Sequence, residues 1–470
     1  MSLSKRILKN VLISFLGRIY TAIITFVVVA VLLPRTLSEE GFGIYAFYST
    51  IFGVLSVIVD FGANVIAVRE GSREPGRLGA ILYSLTFLRL VMSVICLAVS
   101  IAITLFFERE WESRLLLMAA SVHILFHALG GFGVVFHLRM KFSFVVFATA
   151  IGHTCFFAVA LVLFLVDHSV PEHYLLAFGA GLAVSNVVSF LLGKRLVEEP
   201  IRGASGETAR LFKEAFPLGI SAVLAILYFN VDTLLLRPLQ GEEAVGLYSV
   251  SYRLLTFAIL FPVFFNQVLL PVYSRLATTD AFGFRRVLSR CVFYMGAASV
   301  PTAVALVILA EPVLRLIYPP SYARSADCLR ILGIAVAVIF LTYPHVSALI
   351  TRGFQRTYTW IAVIGLLLNV VLNLLWIPRY SIEGAAFATV VTEGFVLVAV
   401  VICVKTRLEI WIVSRDMFRI LPVTLVVGAG AWALQNVSIL IVLPALGLLF
   451  VGSLYLFGLL PFDIGDDHRD

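Results

Sequence analysis

The chain has 470 residues, of which 61% are hydrophobic and 13% charged, against about 45–50% apolar and about 25% charged in an ordinary soluble domain. With a mean hydropathy of +1.02, too little polar surface remains to wrap soluble cores, which excludes a soluble enzyme and makes lipid the solvent for most of the chain. The net charge of +7 suits either a nucleic acid or the anionic face of a membrane, and the placement of the charges decides between them.

An apolar run of about 20 residues spans a bilayer as a helix, and about fourteen such runs follow one another here. The strand alternation of an outer-membrane barrel is absent. The expected architecture is therefore an all-α polytopic membrane protein.

The first run, 11–33, follows Lys5, Arg6 and Lys9. That start has the charge of a signal peptide, but no small-x-small cleavage site closes the stretch from Val11 to Pro34, so a retained transmembrane helix is expected. Arg18 lies about seven residues in, where a long stem still reaches the headgroups. The second run, 43–67, carries Asp60 with Asn64 one turn on. The third, 79–106, places Arg89 about 16 Å deep, near the midplane. A charge at that depth costs about 2.5–3.5 kcal/mol on insertion scales and must face protein or water.

Runs four to six, 115–137, 143–166 and 173–193, carry His123, His127, His137, His153 and Asn186. The pair His123 and His127 is H-x-x-x-H without the glutamate of a zinc protease, so cavity lining or interhelical hydrogen bonding is preferred over metal ligation. The segment Lys194 to Phe216, with Pro, Gly, Ser and mixed charge, has the composition of a linker between halves.

The seventh run, 215–236, holds Asn230 and Asp232. The eighth, 244–271, holds Arg253, Asn266 and Gln267. The ninth, 290–310, leads to an outer loop, Glu311 to Arg330, whose prolines Pro312 and Pro319-Pro320 forbid one continuous helix. Runs ten to twelve, 329–350, 358–377 and 384–404, carry Asn369, Asn373 and Glu393. The segment Leu408 to Ile420 mixes Trp411, Ile412 and Phe418 with Arg415, Asp416 and Arg419, as an interfacial helix does, although a plain connector is preferred. Runs 418–434 and 438–460 close the chain.

Lys and Arg mark the cytoplasmic side. The alternate breaks that include Arg69, Arg139, Lys194, Arg275, Arg352 and Lys405 hold about three times as many cations as the others, so both termini are expected in the cytoplasm. The basic excess is thereby topological, and a nucleic-acid partner has no patch to bind. Glu39-Glu40-x-x-Gly43-Ile44-Tyr45 recurs as Glu242-Glu243-x-x-Gly246-Leu247-Tyr248, 203 residues on. This internal repeat predicts two pseudo-symmetric six-helix bundles of like orientation, 1–200 and 201–406, with 407–470 adding the interfacial segment and two C-terminal helices.

The deep charges admit two roles. If their helices line one cavity, Arg18, Arg89 and Arg253 form a cationic site for a phosphate or diphosphate, which accepts paired N–H bonds. Alternatively each arginine pairs with a buried carboxylate, Asp60, Asp232 or Glu393, and locks helices together. The balance is even for Arg89 and Arg253 and tilts to pairing for Arg18. The carboxylates could also bind Na⁺ or carry a proton in a coupled cycle, with a salt bridge or helix contact the preferred role.

No G-x-x-x-x-G-K-[ST] occurs, since Gly193-Lys194 is followed by Arg195, so no nucleotide-hydrolysing domain is expected. Energy must come from Na⁺, H⁺, the membrane potential or a partner, with no cofactor. No outer loop is long enough for a catalytic domain, which argues against a membrane-embedded glycosyltransferase or polymerase. The five cysteines form no C-x-x-C pair, so neither a disulfide framework nor a metal site is expected.

Several strings carry a family resemblance. Glu40-Gly41-Phe42-Gly43-Ile44-Tyr45, Asp60-Phe61-Gly62 and Arg69-Glu70 resemble the second-helix pattern of polysaccharide-biosynthesis flippases of the multidrug/oligosaccharidyl-lipid/polysaccharide exporter superfamily. Tyr228-Phe229-Asn230-Val231-Asp232, Gly246-Leu247-Tyr248 and Leu270-Pro271-Val272-Tyr273-Ser274-Arg275 are similar to helices seven and eight of O-antigen flippases. Asn369, Asn373, Ile377-Pro378-Arg379-Tyr380 and Gly384-Ala385-Ala386 match the pattern around helices eleven and twelve.

The resemblance implies two bundles that rock between inward-open and outward-open states in the bacterial inner membrane. Their substrate would be a polyprenyl-diphosphate-linked oligosaccharide, such as an O-antigen or other surface-polysaccharide repeat unit of the kind found in lipopolysaccharide. It further implies helices thirteen and fourteen beside the core, as in the lipid II flippase branch, and cavity arginines that hold the lipid diphosphate, at Arg18, Arg89 and Arg253. Polysaccharide polymerase and glycosyltransferases are the implied partners beside membrane lipid. An ion-coupled exporter of small amphiphilic compounds shares the superfamily fold and is the alternative, although a cation exporter needs an acidic cavity.

Overall fold

The computed structural model describes residues 3–410 and 418–457, with side chains from residue 12 onward. Among these residues the regular elements are helices and no strand is present. The membrane-crossing helices are α1 (Leu12–Thr36), α2 (Glu39–Arg73), α3 (Pro75–Phe107), α4 (Trp111–Leu138), α5 (Phe142–Leu165), α6 (Pro171–Lys194), α7 (Glu207–Gln240), α8 (Glu242–Thr279), α9 (Ala281–Ile317) and α10 (Pro320–Thr351). A 54-residue helix, Gln355–Leu408, follows. Unbroken it would be about 80 Å long, far more than the roughly 30 Å hydrocarbon core. Ser381, with φ 49° and ψ −127°, divides it into α11 (355–380) and α12 (382–408). The chain ends in α13 (Ile420–Leu434) and α14 (Ile439–Leu456). Fourteen apolar helical segments thus follow the expected order. Residues 411–417, the middle of the expected interfacial segment with Trp411, Ile412, Arg415 and Asp416, lie outside the described residues, as do 458–470.

Several local features trace directly to sequence. Pro34 has no N–H to bond the carbonyl of Ala30, and α1 passes through a π-helical stretch at Val27–Leu32 just before it. The repeated Glu-Glu motif opens a helix on both occasions: Glu39-Glu40 starts α2, where the Ser38 hydroxyl accepts the Gly41 N–H at 3.1 Å, and Glu242-Glu243 starts α8. Carboxylates in a first turn complement the helix dipole. Pro312 does not end α9, which continues to Ile317. The missing N–H costs one backbone bond, but Leu309 beside it is packed against Val427, Ala431, Ile439 and Val442 of α13 and α14, so the helix is held through the proline and breaks at Tyr318–Pro319 instead.

Contacts gather the chain into two units, Met1–Leu234 and Leu235–Asp470, a division that falls inside α7. In the first unit, residues 195–206 run along the beginning of α3, where Leu196, Val197 and Ile201 pack on Leu78, Leu82 and Phe132. An ion-pair network sits beside them. Arg69 pairs with Glu70 at 3.0 Å and with Glu214; Arg210 reaches Glu70 at 2.8 Å and Glu207 at 3.8 Å; Arg77 pairs with Glu74 at 2.6 Å and with Glu207. Arg77 holds the exposed Glu74 carboxyl below its usual range, through the hydrogen bond first and the charge second. The network joins the ends of α2, α3 and α7 above an apolar seam of Ala63, Ile66, Ala67, Leu211 and Ala215. In the second unit α9 carries both C-terminal helices, with Ala297 against Ile420, Val423 and Leu454.

α2 is not one straight helix. Phe61 (φ 43°) and Gly62 (φ 73°) are left-handed, and the helix restarts at Ala63. Only glycine suits the second position: a Cβ there would lie 2.8 Å from Leu218 Cβ and 3.1 Å from the Gly219 nitrogen of α7. Gly62→Ala therefore combines a left-handed cost of about 1–2 kcal/mol with a clash against α7. Its expected result is a lower thermal midpoint of the full chain in detergent, while Gly53→Ala, which meets open space on the same helix, leaves the midpoint at or above wild type.

Candidate functional site

The break in α2 places Asp60 at the end of a half-helix, at membrane depth, with Asn64 on the first turn of the next half. α3 passes alongside and delivers Arg89, which is 5% exposed. Arg89 Nη1 donates to Asn64 Oδ1 at 3.2 Å and stands 3.7 Å from Asp60 Oδ1. The pair is a charge contact with no direct hydrogen bond between its members. Among the described residues, Arg89 Nε and Asp60 Oδ1 are both buried without a hydrogen-bond partner. A buried guanidinium with five donors is thus only partly satisfied.

α4 closes the site and is interrupted as well. It runs as Trp111–Ser121 and His123–Phe126, tightens into a 3₁₀ turn at Leu129–Phe132, and resumes at Gly133–Leu138. Gly130 is the point of closest approach. A Cβ there would lie 2.2 Å from Asn186 Oδ1 of α6 and 3.7 Å from Arg89 Nη2, so the absence of a side chain lets α4 fit between the amide and the guanidinium. One turn earlier His127 Nε2 lies 3.0 Å from the Ser56 hydroxyl of α2, which itself donates to Phe52 O at 2.6 Å. His123 Nδ1 bonds Ala120 O at 2.6 Å, and its ring packs edge-on against Phe52 at 4.8 Å. His127 thus makes an interhelical hydrogen bond to Ser56, and His123 an interhelical ring contact with Phe52.

The predicted residues fall as follows. Arg89 and Asp60 are brought together in the first unit, with Asn64 between them. Asp232 is buried on α7. Arg18 is exposed on α1 and makes no ion pair among the described residues. In the second unit Arg253 is half-buried on α8 and within electrostatic range of the Tyr318 phenol, which burial pushes well above its ordinary value. Glu393 is buried on α12, within electrostatic range of Tyr343 and Tyr358, and Asn373 donates to Asn369 at 2.9 Å. Sequence reasoning missed Ser56 and both helix breaks beside Arg89. The pairs Phe61-Gly62 and Gly130-Gly131 are breaker signals, hidden inside apolar runs of spanning length.

Irregular backbone at membrane depth survives only where protein buries it or where it lines a cavity. Beside these breaks the incompletely bonded Arg89 retains N–H groups that can meet a further acceptor. The whole-chain comparisons agree with such a fold. The family model described as Polysaccharide biosynthesis protein matches residues 7–277, more than half of the chain. This chain belongs to that family. A second family model, MatE, matches residues 217–375.

Among curated members and relatives, the "Probable flippase AglR" of Haloferax volcanii is 28% identical over 172 residues, 35% of this chain and 35% of that protein. The "Capsular polysaccharide biosynthesis protein CapF" of Staphylococcus aureus is 26% identical over 196 residues, 40% of this chain and 49% of that protein. The matches therefore span half or less of either relative. Two solved structures share the fold of the family. "Lipid II flippase MurJ, inward closed conformation" superposes with a TM-score of 0.76 at 16% identity, covering 96% of this chain and 98% of that one. An inward-facing MATE-family multidrug transporter of the MOP superfamily superposes with a TM-score of 0.60 at 13% identity, covering 83% and 94%. The chain is a multi-pass membrane protein with the MOP fold.

The Arg89 and Asp60 contact generates a test of its own. Arg89→Gln strands a carboxylate, and Asp60→Asn strands a guanidinium, each at an expected cost of about 1–3 kcal/mol, below the figure for a fully buried pair because Asp60 retains some exposure. The double variant should be more stable than the sum of the two losses. Thermal midpoints of the four proteins in one detergent measure the coupling, and strict additivity would mean that the two charges do not interact.

Proposed function

We propose that this protein is a flippase that carries a polyprenyl-diphosphate-linked oligosaccharide, a repeat unit of O-antigen or another surface polysaccharide, across the bacterial inner membrane by alternating access. The carrying observation is Arg89: a guanidinium buried at membrane depth between two interrupted helices, with its hydrogen-bonding capacity incompletely used. Sugar and diphosphate cannot cross about 30 Å of hydrocarbon unaided, so a polar interior must shield them while the prenyl tail stays in lipid. Arginine suits a diphosphate because its planar donors meet paired oxygens. Family membership, and the names of the flippase and capsular-polysaccharide relatives, support this substrate class.

In this reading Arg89, Arg253 and Arg18 hold the diphosphate. Bundles 1–200 and 201–406 move relative to one another, with 407–470 beside them, and both termini lie in the cytoplasm. Asp60, Asp232 and Glu393 are the carboxylates through which Na⁺, H⁺ or the membrane potential can bias the two states, since a ligand shifts such an equilibrium only by its differential affinity. Glycosyltransferases supply the substrate and a polymerase consumes it. The MatE match over the second half supports a second reading, an ion-coupled exporter of small amphiphiles. The deep cation ranks it lower, because cationic cargo calls for an acidic interior.

Reconstituted in liposomes, the wild type should move a fluorescent undecaprenyl-diphosphate oligosaccharide between leaflets. Arg89→Ala/Arg253→Ala should lose at least about tenfold in rate per folded protein, one charge-assisted hydrogen bond being worth about 1.5–3 kcal/mol, a loss larger than the fall in folded protein that stranding Asp60 brings. Absence of lipid transfer under an imposed ion gradient, together with efflux of a cationic dye, would establish the exporter reading in its place.

A further inference from the structure

The second unit carries a group of cations that neither the ion-pair network nor the buried site uses. α8 ends and α9 begins at the turn around Asp280, α10 ends and α11 begins at the turn around Gly353, and these two turns touch. Arg352 Nη1 donates to Ala277 O at 2.5 Å, and its guanidinium stacks on the Phe284 ring at 5.0 Å. Arg275, Arg285, Arg286 and Arg356 lie within about two helical turns of the same end and are exposed. None of these four makes an ion pair among the described residues. Arg352 Nε is buried without a hydrogen-bond partner among the described residues. The one carboxylate in these turns, Asp280, is committed to capping α9, where its Oδ1 accepts the Gly283 N–H at 2.9 Å.

The contrast with the joined ends of α2, α3 and α7 in the first unit is chemical. There Arg69, Arg73, Arg77 and Arg210 are matched by Glu70, Glu74, Glu207 and Glu214. A preference for cations on one side of a membrane accounts for both sets of arginines but not for the missing glutamates. Like charges gathered at one helix end repel, and an outside anion that neutralises them relieves that repulsion. A second feature says where that anion resides. Phe282, 70% exposed on the first turn of α9, carries Arg286 over its ring at 5.1 Å. A phenyl ring beside arginines at a helix end suits the membrane interface, with the ring at the acyl boundary and the guanidinium groups among the phosphates.

We propose that the paired α8–α9 and α10–α11 turns form a docking site for the phosphate headgroup of an anionic phospholipid. Arg275, Arg285, Arg286, Arg352 and Arg356 supply the donors and Phe282 the interfacial anchor. The site is independent of whatever the protein transports.

Native mass spectrometry of the detergent-purified full chain, titrated with phosphatidylglycerol and with phosphatidylcholine, tests this. Wild type should retain phosphatidylglycerol selectively. Arg275→Gln/Arg285→Gln/Arg286→Gln should bind it roughly tenfold or more weakly, from about 1 kcal/mol per basic residue near an anionic surface. Arg139→Gln/Arg195→Gln/Arg202→Gln, an equal loss of exposed charge in the first unit, should bind like wild type. The Lys versions at 275, 285 and 286 should restore most of the affinity, and Arg285→Gln alone should show a partial loss should the triple variant fold poorly. Equal weakening by the two Gln triples would replace a site with diffuse surface charge. Unchanged binding in the α8–α9 triple, or displacement of the lipid by low-millimolar inorganic phosphate, would overturn the lipid assignment.

Discussion

Backbone amide groups in hydrocarbon must find their hydrogen bonds inside the protein, and the architecture of the first unit follows from that constraint. A helix can be interrupted at membrane depth only where neighbours cover the interruption. The left-handed pair Phe61 and Gly62 is covered by α7, whose Leu218 and Gly219 leave no room for a side chain at position 62. The tightened turn at Leu129–Phe132 is covered by α3 and α6, which bring Leu85, Arg89 and Asn186 to Gly130 and Gly131. The breaks and the buried polar side chains lie side by side: Asp60 ends the first half of α2, and Arg89 lies beside Gly130 and Gly131 at the second break.

The Arg89 and Asp60 contact is loose, and looseness suits a binding site. A bidentate buried pair would satisfy both ions and resist any competing anion, because opening it exposes two desolvated charges. At 3.7 Å, with Asn64 taking the single hydrogen bond, the guanidinium keeps donors in reserve. The histidines are anchored by backbone and hydroxyl partners, His123 to Ala120 O and His127 to Ser56, so they shape the wall around the pair. Charge at the helix ends is handled differently. The α2, α3 and α7 ends use alternating Arg and Glu, where each exposed pair is worth about 0–1 kcal/mol and only the network gives cohesion. The α8–α9 end leaves Arg275, Arg285 and Arg286 exposed and without an ion pair among the described residues.

Much of this was legible in one dimension. Apolar length alone located fourteen spans, and the recurrence of Glu-Glu-x-x-Gly found the starts of α2 and α8 because carboxylates favour a helix N-terminus. The depth of Arg89 identified it as a residue that must be enclosed, since the cost of a charge in hydrocarbon depends on position along the span. The prolines of Glu311 to Arg330 misled at Pro312: the penalty for a missing N–H is local, whereas the packing of α13 and α14 on α9 that outweighs it comes from residues more than a hundred positions later.

What the sequence by itself determined was therefore the class, the order of the spans and which side chains lipid would not tolerate, because hydropathy and burial cost are properties of each segment alone. Tertiary structure decided where spans break, which carboxylate meets Arg89, and which of the arginines is enclosed. Arg253 and Arg89 lie at similar depth in their apolar runs, yet one is half-buried on α8 and the other is 5% exposed against two interrupted helices. The physical reason is that a left-handed turn or a 3₁₀ segment inside an apolar run has nearly the same hydropathy as a straight helix. The difference is set by the neighbours that cover it, and those come together only in the folded chain.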